Sequence, residues 1–137
     1  MCNFDSCGSA MGWNSFYTNV NDGLCQQIHD VFGKHDVWYQ ECRKPEPTND
    51  LFPFTVVSIP GITLLRKNCE SGVFYHHRFD NTIDVIAADM VANLAEAALD
   101  LTEPMADGMT EYEISVDDTK KDEVQQSWMS IFGGWKK

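Results

Sequence analysis

The alternation of apolar and polar residues predicts helices and strands in turn along the chain. Apolar residues at helical spacing follow Asn21 and Asp22, either of which can cap a helix, and Gly33 supplies a C-terminal stop. The aromatic and β-branched stretch "DVWYQE", 36–41, predicts a short strand. The near-continuous apolar run "GITLLRK", 61–67, is typical of a strand that is covered on both faces. Helices and apolar strands in this order indicate an α/β protein with parallel strand pairing.

The clearest predicted element is a helix from about Ile83 to Leu101. Thr82 is a natural N-cap for it, and Pro104 closes it. An apolar stripe at helical spacing predicts one buried face. The stripe consists of Ile86, Met90, Leu94, Ala97, Ala98 and Leu101.

The remaining segments carry weaker patterns. Residues 1–8 look like the end of a strand that stops at Gly8, whereas 9–20 fit neither period. The mixed stretch 51–61 allows a short helical turn before its terminal Pro-Gly. Residues 109–117 are interpreted as a strand or an extended arm.

A last amphipathic helix is predicted to begin at Asp117 or Asp118 and to end at two glycines. Its apolar face is formed by Val124, Trp128, Ile131 and Phe132.

Charge and length limit the classes of function. The chain has 137 residues, one domain's worth, with 21 acidic and 10 basic residues and a net charge of −11. A nucleic-acid backbone would be repelled, so we expect no nucleic-acid partner. No apolar run approaches the roughly 20 residues that span a bilayer, and the start does not resemble a signal peptide, so we expect no membrane partner.

The cysteines favour an intracellular setting. Their number is odd, their spacing is irregular and no Cys-x-x-Cys occurs, which disfavours a zinc ribbon or a thioredoxin-type site. We interpret them as reduced thiols in a cytoplasmic protein. They are Cys2, Cys7, Cys25, Cys42 and Cys69.

The stretch "FYHHRFDNTIDVI", 74–86, contains the main candidates for chemistry. It places His76 and His77 between an apolar strand and the long helix, where open α/β sheets put their ligand sites. Asp80 and Asp84 are nearby acceptors of the kind that orient an imidazole ligand. The alternative is a pair of solvated loop histidines. By contrast, the two His-Asp pairs in "IHDVFGKHD" are six residues apart, which favours solvated helix-end residues over a metal site.

The residues "YHHRFDNTIDVI" resemble the tyrosine-histidine-histidine, then aspartate-threonine pattern of the co-catalytic zinc exopeptidases, the family of bacterial leucyl aminopeptidase and carboxypeptidase Q. In that family a histidine binds one zinc ion, and a threonine five residues later opens the last long helix. His77 and Thr82 match this spacing. The family's aspartate before the threonine is Asn81 here, with Asp80 one residue earlier.

Two further stretches resemble the same family. "CNFDSCG", 2–8, is similar to the family's strand end whose aspartate, here Asp5, binds the other zinc ion. "TNDLFPFTVVSIPGITLL", 48–65, is similar to a serine-aspartate segment that precedes a buried strand. The resemblance therefore implies two zinc ions with Asp5 and His77 as ligands. It implies supporting or pocket roles for Tyr75, His76, Asp80, Asn81 and Asp50.

The chain departs from the family by lacking its other site residues. The family needs a His-x-Asp motif, a bridging aspartate and a Glu-Glu pair that supplies the general base, and this sequence contains neither His-x-Asp nor Glu-Glu. The resemblance thus covers the C-terminal half of the peptidase domain, residues 1–103, with an extended arm and amphipathic helix at 104–137. It implies a partial three-layer α/β sandwich of the phosphorylase/hydrolase-like kind, with a mostly parallel sheet and flanking helices.

Three functions follow as expectations. The first is a truncated zinc-dependent exopeptidase that removes terminal residues from peptides only when the missing half completes it. The second is a non-catalytic binding or assembly module that keeps the scaffold. The third is a small acidic metal-binding protein that uses His76, His77 and Asp80.

A half-domain also has physical consequences. One protein ligand per zinc ion and no general base predict weak zinc binding and no peptidase activity of the chain alone. An uncovered sheet edge and apolar surface predict self-association or a partner chain.

Overall fold

Four strands form one sheet, and helices pack around it. The computed structural model describes residues 1–44, 46–80, 82–109 and 121–133. The elements in chain order are β1 (Cys2–Asp5), β2 (Trp13–Thr18), α1 (Asp22–Lys34), β3 (Tyr39–Cys42), α2 (Leu51–Val56), β4 (Ile62–Lys67), α3 (Ala88–Ala106) and α4 (Lys121–Phe132). A π-helical turn, Ser71–Tyr75, and a 3-10 turn, Ile83–Val85, lie between β4 and α3.

The sheet is mixed, with the strand order β1-β4-β2-β3. β1 pairs with β4 in parallel, and β2 pairs with β3 in parallel, but the central pair of β2 and β4 is antiparallel. The predicted α/β class is therefore confirmed. Parallel pairing holds only for the two outer pairs, because the apolar pattern of a strand does not encode the direction of its neighbour.

The core lies between the sheet and two helices. Phe16 on β2 and Leu64 on β4 are fully buried and stand opposite each other in the central pair. Ile28 and Phe32 of α1 and Leu101 of α3 are fully buried against the same cluster. Burial of each such side chain stabilises the fold by about 1.5–3 kcal/mol, so this cluster is the main source of stability.

Helix α1 begins where the sequence predicts but ends later. Asn21 is the N-cap, and its side-chain oxygen accepts a hydrogen bond from the backbone N–H of Leu24 at 3.0 Å. The helix continues through Gly33 to Lys34. The residue with left-handed backbone at this end is Asp36, with φ 53°. The predicted glycine stop is therefore wrong, because an aspartate takes the left-handed conformation instead.

Helix α3 also begins later than its capping pattern indicates. Thr82 precedes the 3-10 turn Ile83–Val85 and makes no cap hydrogen bond. The backbone N–H of Ala87 donates to the carbonyl of Gly8 at 2.6 Å, so the chain is held extended there. The helix starts only at the next residue, Ala88, and the predicted Thr82 cap is wrong.

Pro104 lies inside α3 and does not close it. The proline removes one backbone hydrogen bond near the end of the helix. Leu101 is fully buried and Met105 packs against the core, on either side of the proline. This packing stabilises the helix beyond Pro104. The boundary predicted between the peptidase-like part, 1–103, and the arm, 104–137, therefore falls within α3.

The predicted apolar stripe of α3 is buried only in its C-terminal part. Leu94, Ala97 and Leu101 are in the core, whereas Ile86 lies before the helix and is 48% exposed. α3 is 19 residues long, yet neither it nor any other helix in the described ranges has the length and apolar character needed to cross a membrane.

Strand β2 has no counterpart among the predicted elements. Its Ser15 and Thr18 are buried although they are polar. Four successive residues of β2, 15–18, are buried, so both faces of the strand are covered there, and such a strand loses the apolar-polar alternation by which strands are recognised.

The last helix, α4, packs on the short helix α2. The ring of Trp128 stacks on Phe52 at 6.2 Å between centroids and contacts Phe132 at 4.4 Å. Val124 is buried, so part of the predicted apolar face is buried. The predicted arm from 110 onward and the predicted helix start at 117–118 lie outside the described residues.

Candidate functional site

Two segments that contain predicted zinc ligands meet at one edge of the sheet. Asp5 is the last residue of β1, and His77 lies in the segment 68–87 that follows β4. Because β1 and β4 are parallel neighbours, their carboxyl ends lie at the same edge. The hydrogen bond from Ala87 to Gly8 joins the two segments just beyond this edge.

Asp5 is exposed at the end of β1. Its Oδ1 accepts a hydrogen bond from Ser6 Oγ at 3.0 Å, and Ser6 turns the chain out of the strand with φ 54°. Cys7 donates to the carbonyls of Asp5 and Leu64. Burial, followed by the charge of Asp5, raises the pKa of Cys7 to about 11. Cys7 is thus a protonated thiol at neutral pH that anchors the turn.

The two adjacent histidines stack on each other and face solvent. The rings of His76 and His77 are 3.9 Å apart between centroids, and His77 has φ 56°. Asp80 is held by Arg78, whose Nε and Nη2 donate to the two carboxylate oxygens at 2.9 and 2.8 Å. Asp80 is therefore engaged by a guanidinium and not by an imidazole. Tyr75 is half-buried at the end of the π-helical turn.

The other predicted site residues lie elsewhere or are not described. Asp50 precedes α2, and its Oδ2 accepts a hydrogen bond from Asn3 Nδ2 at 3.4 Å. This contact places Asp50 beside β1, the strand that ends at Asp5. Asn81 lies outside the described residues.

The described residues do not build a zinc site around Asp5 and His77. A carboxylate and an imidazole are suitable zinc donors, but a catalytic zinc takes three protein ligands. Within the described ranges, neither residue belongs to a group of three donors whose atoms lie within 4.8 Å of one another. His76, His77 and Asp80 do not form such a group either.

A group of three donors does occur at a place that the sequence did not single out. Cys25 and His29 lie four residues apart on α1, and Glu41 lies on the neighbouring strand β3. One donor atom from each lies within 4.8 Å of the others. His29 Nε2 and Glu41 Oε2 are hydrogen-bonded at 2.7 Å. We call this group the Cys25–His29–Glu41 cluster.

Further side chains hold the cluster in place. Tyr39 Oη shares a hydrogen bond with His29 Nδ1, and the two rings stack at 5.4 Å. Arg43 donates to the second oxygen of Glu41 and to Asp22. Burial would raise the pKa of Glu41, but hydrogen bonds from Arg43 and His29 outweigh it and hold that pKa below its ordinary value.

The thiol and the phenol beside these groups are protonated at neutral pH. Burial, followed by the charge of Glu41, raises the pKa of Cys25 to about 11. Burial, followed by the charge of Cys25, raises the pKa of Tyr39 to about 12. Cys25 is also only 1% exposed, so it is not placed to attack a substrate as a nucleophile.

Two spacings in the sequence could have indicated this cluster. Residues four apart, such as Cys25 and His29, share a helix face. Residues two apart, such as Tyr39 and Glu41, share a strand face. The prediction that His29 is a solvated helix-end residue is wrong, because His29 lies within α1 and its ring nitrogens contact Tyr39 and Glu41 of β3.

An open apolar groove lies beside the β1 edge. The groove has a volume of about 930 Å³ and runs between β1 and α3. Leu99 and Ile83 line it and are 60% and 79% exposed. Among the described strands, β1 is an edge strand, so the groove and an unpaired strand edge adjoin each other.

Comparison with known proteins found no match. No model of a protein family matches this chain, and neither a curated protein nor a solved structure matches it.

Proposed function

We propose that this chain forms one wall of a two-zinc exopeptidase domain of the aminopeptidase and carboxypeptidase Q type. In the completed domain, Asp5 and His77 each bind a different zinc ion, and other residues supply the remaining ligands and the general base. The observation that supports this is the parallel pairing of β1 and β4, which brings the Asp5 strand end and the His77 segment to one edge of the sheet. Peptides are the substrate of the completed domain.

The expected sandwich architecture and cellular location apply to the completed domain. A partial three-layer sandwich with a mostly parallel sheet requires further strands beyond those described, and β1, which is an edge strand among the described ones, is a place for them. A cytoplasmic location, inferred from the odd number and irregular spacing of the cysteines, is part of the same proposal.

The chain alone is not expected to hydrolyse peptides. Bound zinc would supply an activated water and a polarised carbonyl. The described residues offer one ligand to each ion and no positioned general base, so no hydrolytic step is assigned to them. Zinc binding at Asp5 and His77 should be millimolar or weaker in the isolated chain.

Titration with Zn²⁺ under nuclear magnetic resonance tests this assignment. The imidazole signals of His77 should shift at millimolar Zn²⁺, and Asp5→Asn and His77→Ala should each remove one set of shifts. Unchanged signals at both residues would exclude them as ligands. Release of amino acids from peptides by the purified chain with Zn²⁺ would show that no second half is needed.

A second candidate is a non-catalytic binding or assembly module. The specific observation in its favour is the apolar groove beside β1, which is typical of an interaction surface. The two candidates differ in how they respond to Asp5→Asn and His77→Ala. A binding module keeps its partner affinity in both variants, whereas a completed peptidase loses its activity.

A further inference from the structure

Three donor atoms of different chemistry converge between α1 and β3. They are Cys25 Sγ, a ring nitrogen of His29 and a carboxylate oxygen of Glu41, all within 4.8 Å of one another. Zinc bonds of about 2.3 Å to sulfur and about 2.0–2.2 Å to nitrogen and oxygen place tetrahedral ligands roughly 3.3–3.8 Å apart. The 2.7 Å contact between His29 and Glu41 needs to open by roughly 0.6–1.1 Å to reach that spacing.

The atoms of these side chains that a metal would not use already have partners. Tyr39 occupies His29 Nδ1, and Arg43 occupies the other oxygen of Glu41. Metal-binding histidines and carboxylates are usually oriented in this way through their second atom. The arrangement leaves Nε2 and Oε2 directed at each other.

Access and charge suit a divalent cation at the cluster. Cys25 is 1% exposed, while the His29 side chain is 40% exposed, so the site has a closed side and an open side. A water can complete the tetrahedron on the open side. A Cys25 thiolate, the carboxylates of Glu41 and Asp22, and the Arg43 guanidinium carry a formal charge that one divalent ion neutralises.

We propose that Cys25, His29 and Glu41 bind one zinc ion, separate from the edge where Asp5 and His77 lie. Binding replaces the proton of the Cys25 thiol, which is released to solvent, and His29 binds through its neutral Nε2. The ion joins α1 to β3 and stabilises the fold. This site does not depend on the peptidase proposal, since it shares no residue with it.

Cobalt titration tests the proposal, because Co²⁺ takes the ligands of Zn²⁺ and a thiolate ligand adds a near-ultraviolet charge-transfer band. The metal-free chain should develop this band, and about one equivalent of Zn²⁺ should abolish it. Cys25→Ser should lose the band, and His29→Ala should weaken cobalt binding. Tyr39→Phe should weaken it by roughly tenfold to a hundredfold, since it removes the partner of His29 Nδ1.

Matched variants separate this site from others in the chain. Cys42→Ser changes a thiol next to Glu41 that is outside the cluster, and it should leave the band unchanged. Asp5→Asn should also leave it unchanged, because an oxygen and nitrogen site produces no sulfur band. Circular dichroism establishes whether Cys25→Ser is folded, and the more exposed His29→Ala provides a second test if it is not.

Three results would overturn the zinc site. The first is the absence of a sulfur-to-cobalt band at saturating Co²⁺. The second is a band that survives Cys25→Ser, and the third is a cobalt affinity that is unchanged in His29→Ala. Any of the three would leave the cluster as a hydrogen-bonded network that only ties α1 to β3, and none would bear on Asp5 and His77.

Discussion

Single buried polar residues fix how the strands of this protein connect. Asn19 is 4% exposed and directly follows β2. Its Nδ2 donates to Thr55 Oγ1 and to the carbonyl of Ile59, both at 3.0 Å, and its Oδ1 accepts from the N–H of Gly61 at 2.7 Å. One amide side chain thus holds the end of β2 to α2 and to the start of β4.

We expect Asn19→Ala to lower the free energy of unfolding by about 2–4 kcal/mol. The substitution removes three hydrogen bonds and leaves the buried N–H of Gly61 without its partner. Denaturant titration measures the change. Asn93→Ala is the matched control, since Asn93 is exposed and donates one bond to the carbonyl of His35, and it should change the free energy by less than about 1 kcal/mol.

At the residue scale, the strand predicted within residues 1–8 is present, but it ends at Asp5 and not at Gly8. Asp5 and His77 as zinc ligands stay predictions, since they rest on a resemblance and on the position of His77 before a helix. The Cys25–His29–Glu41 cluster was not predicted, because its members are brought together by the packing of a helix on a strand. Such contacts carry no local signal beyond a shared face on each element.

At the scale of elements, two glycines differ in whether the fold requires them. Gly12 has φ +93°, and a Cβ there would lie 2.1 Å from the carbonyl oxygen of Lys67. Gly33 lies in the last turn of α1, and a Cβ there would meet no atom within 4 Å. We expect Gly12→Ala to destabilise the protein by about 1–3 kcal/mol, by strain and by the clash.

Gly33→Ala should instead stabilise the protein by about 0.5–1 kcal/mol, because alanine is the better helix former. Thermal and denaturant unfolding of the two variants would measure both changes. Loss of stability in Gly33→Ala would mean that the glycine does end the helix with a left-handed conformation, as the sequence pattern alone predicts.

One carboxylate of α3 ties that helix to the C-terminal end of α1. Asp100 accepts hydrogen bonds from Lys34 at 2.8 Å and from His35 at 2.9 Å. The hydrogen bond from Lys34, followed by that from His35, lowers the pKa of Asp100 below its ordinary value. A carboxylate whose pKa is lower in the folded state stabilises the fold above its unfolded pKa of about 3.9, and this contribution is lost as the pH falls through the folded value.

Asp100→Asn should therefore lower the melting temperature at pH 7, and the difference from the parent chain should shrink below about pH 4. Scanning calorimetry across this range measures the difference. Glu96→Gln, an exposed carboxylate of the same helix, is the control and should show a smaller difference at pH 7. A deficit in Asp100→Asn that is as large at pH 3 as at pH 7 would show that the ion pair is not its source.

Elements were predicted where local periodicity is strong, and they were missed where burial hides it. α1 and β4 follow from their apolar spacing, but β2 contains buried Ser15 and Thr18 and does not alternate. The late start of α3 depends on the contact of Ala87 with Gly8, which are far apart in sequence. The antiparallel central pair has the same origin, since strand direction is decided by the path of the whole chain.

At the scale of the whole molecule, net charge and apolar surface have opposite effects on self-association. The net charge of −11 drives copies of the chain apart. The groove of about 930 Å³ beside the edge strand β1 draws apolar surfaces together. At physiological ionic strength, salt largely screens the repulsion between exposed charges that are more than about 8 Å apart. Salt does not weaken the burial of apolar surface in this way. Association should therefore strengthen as salt is added.

We expect the isolated chain to self-associate at micromolar concentrations through the groove and the β1 edge. Leu99→Glu places a charge in the groove at a side chain that is 60% exposed, so it should shift the chain to a monomer without disturbing the core. Val57→Glu is the matched control, because Val57 is 64% exposed and lies outside the groove, and it should leave association unchanged. Sedimentation velocity of the three proteins at low and high salt measures the outcome. A parent chain that stays monomeric at high salt would show that groove and edge are too small to hold two copies, and would leave a different partner chain as their occupant.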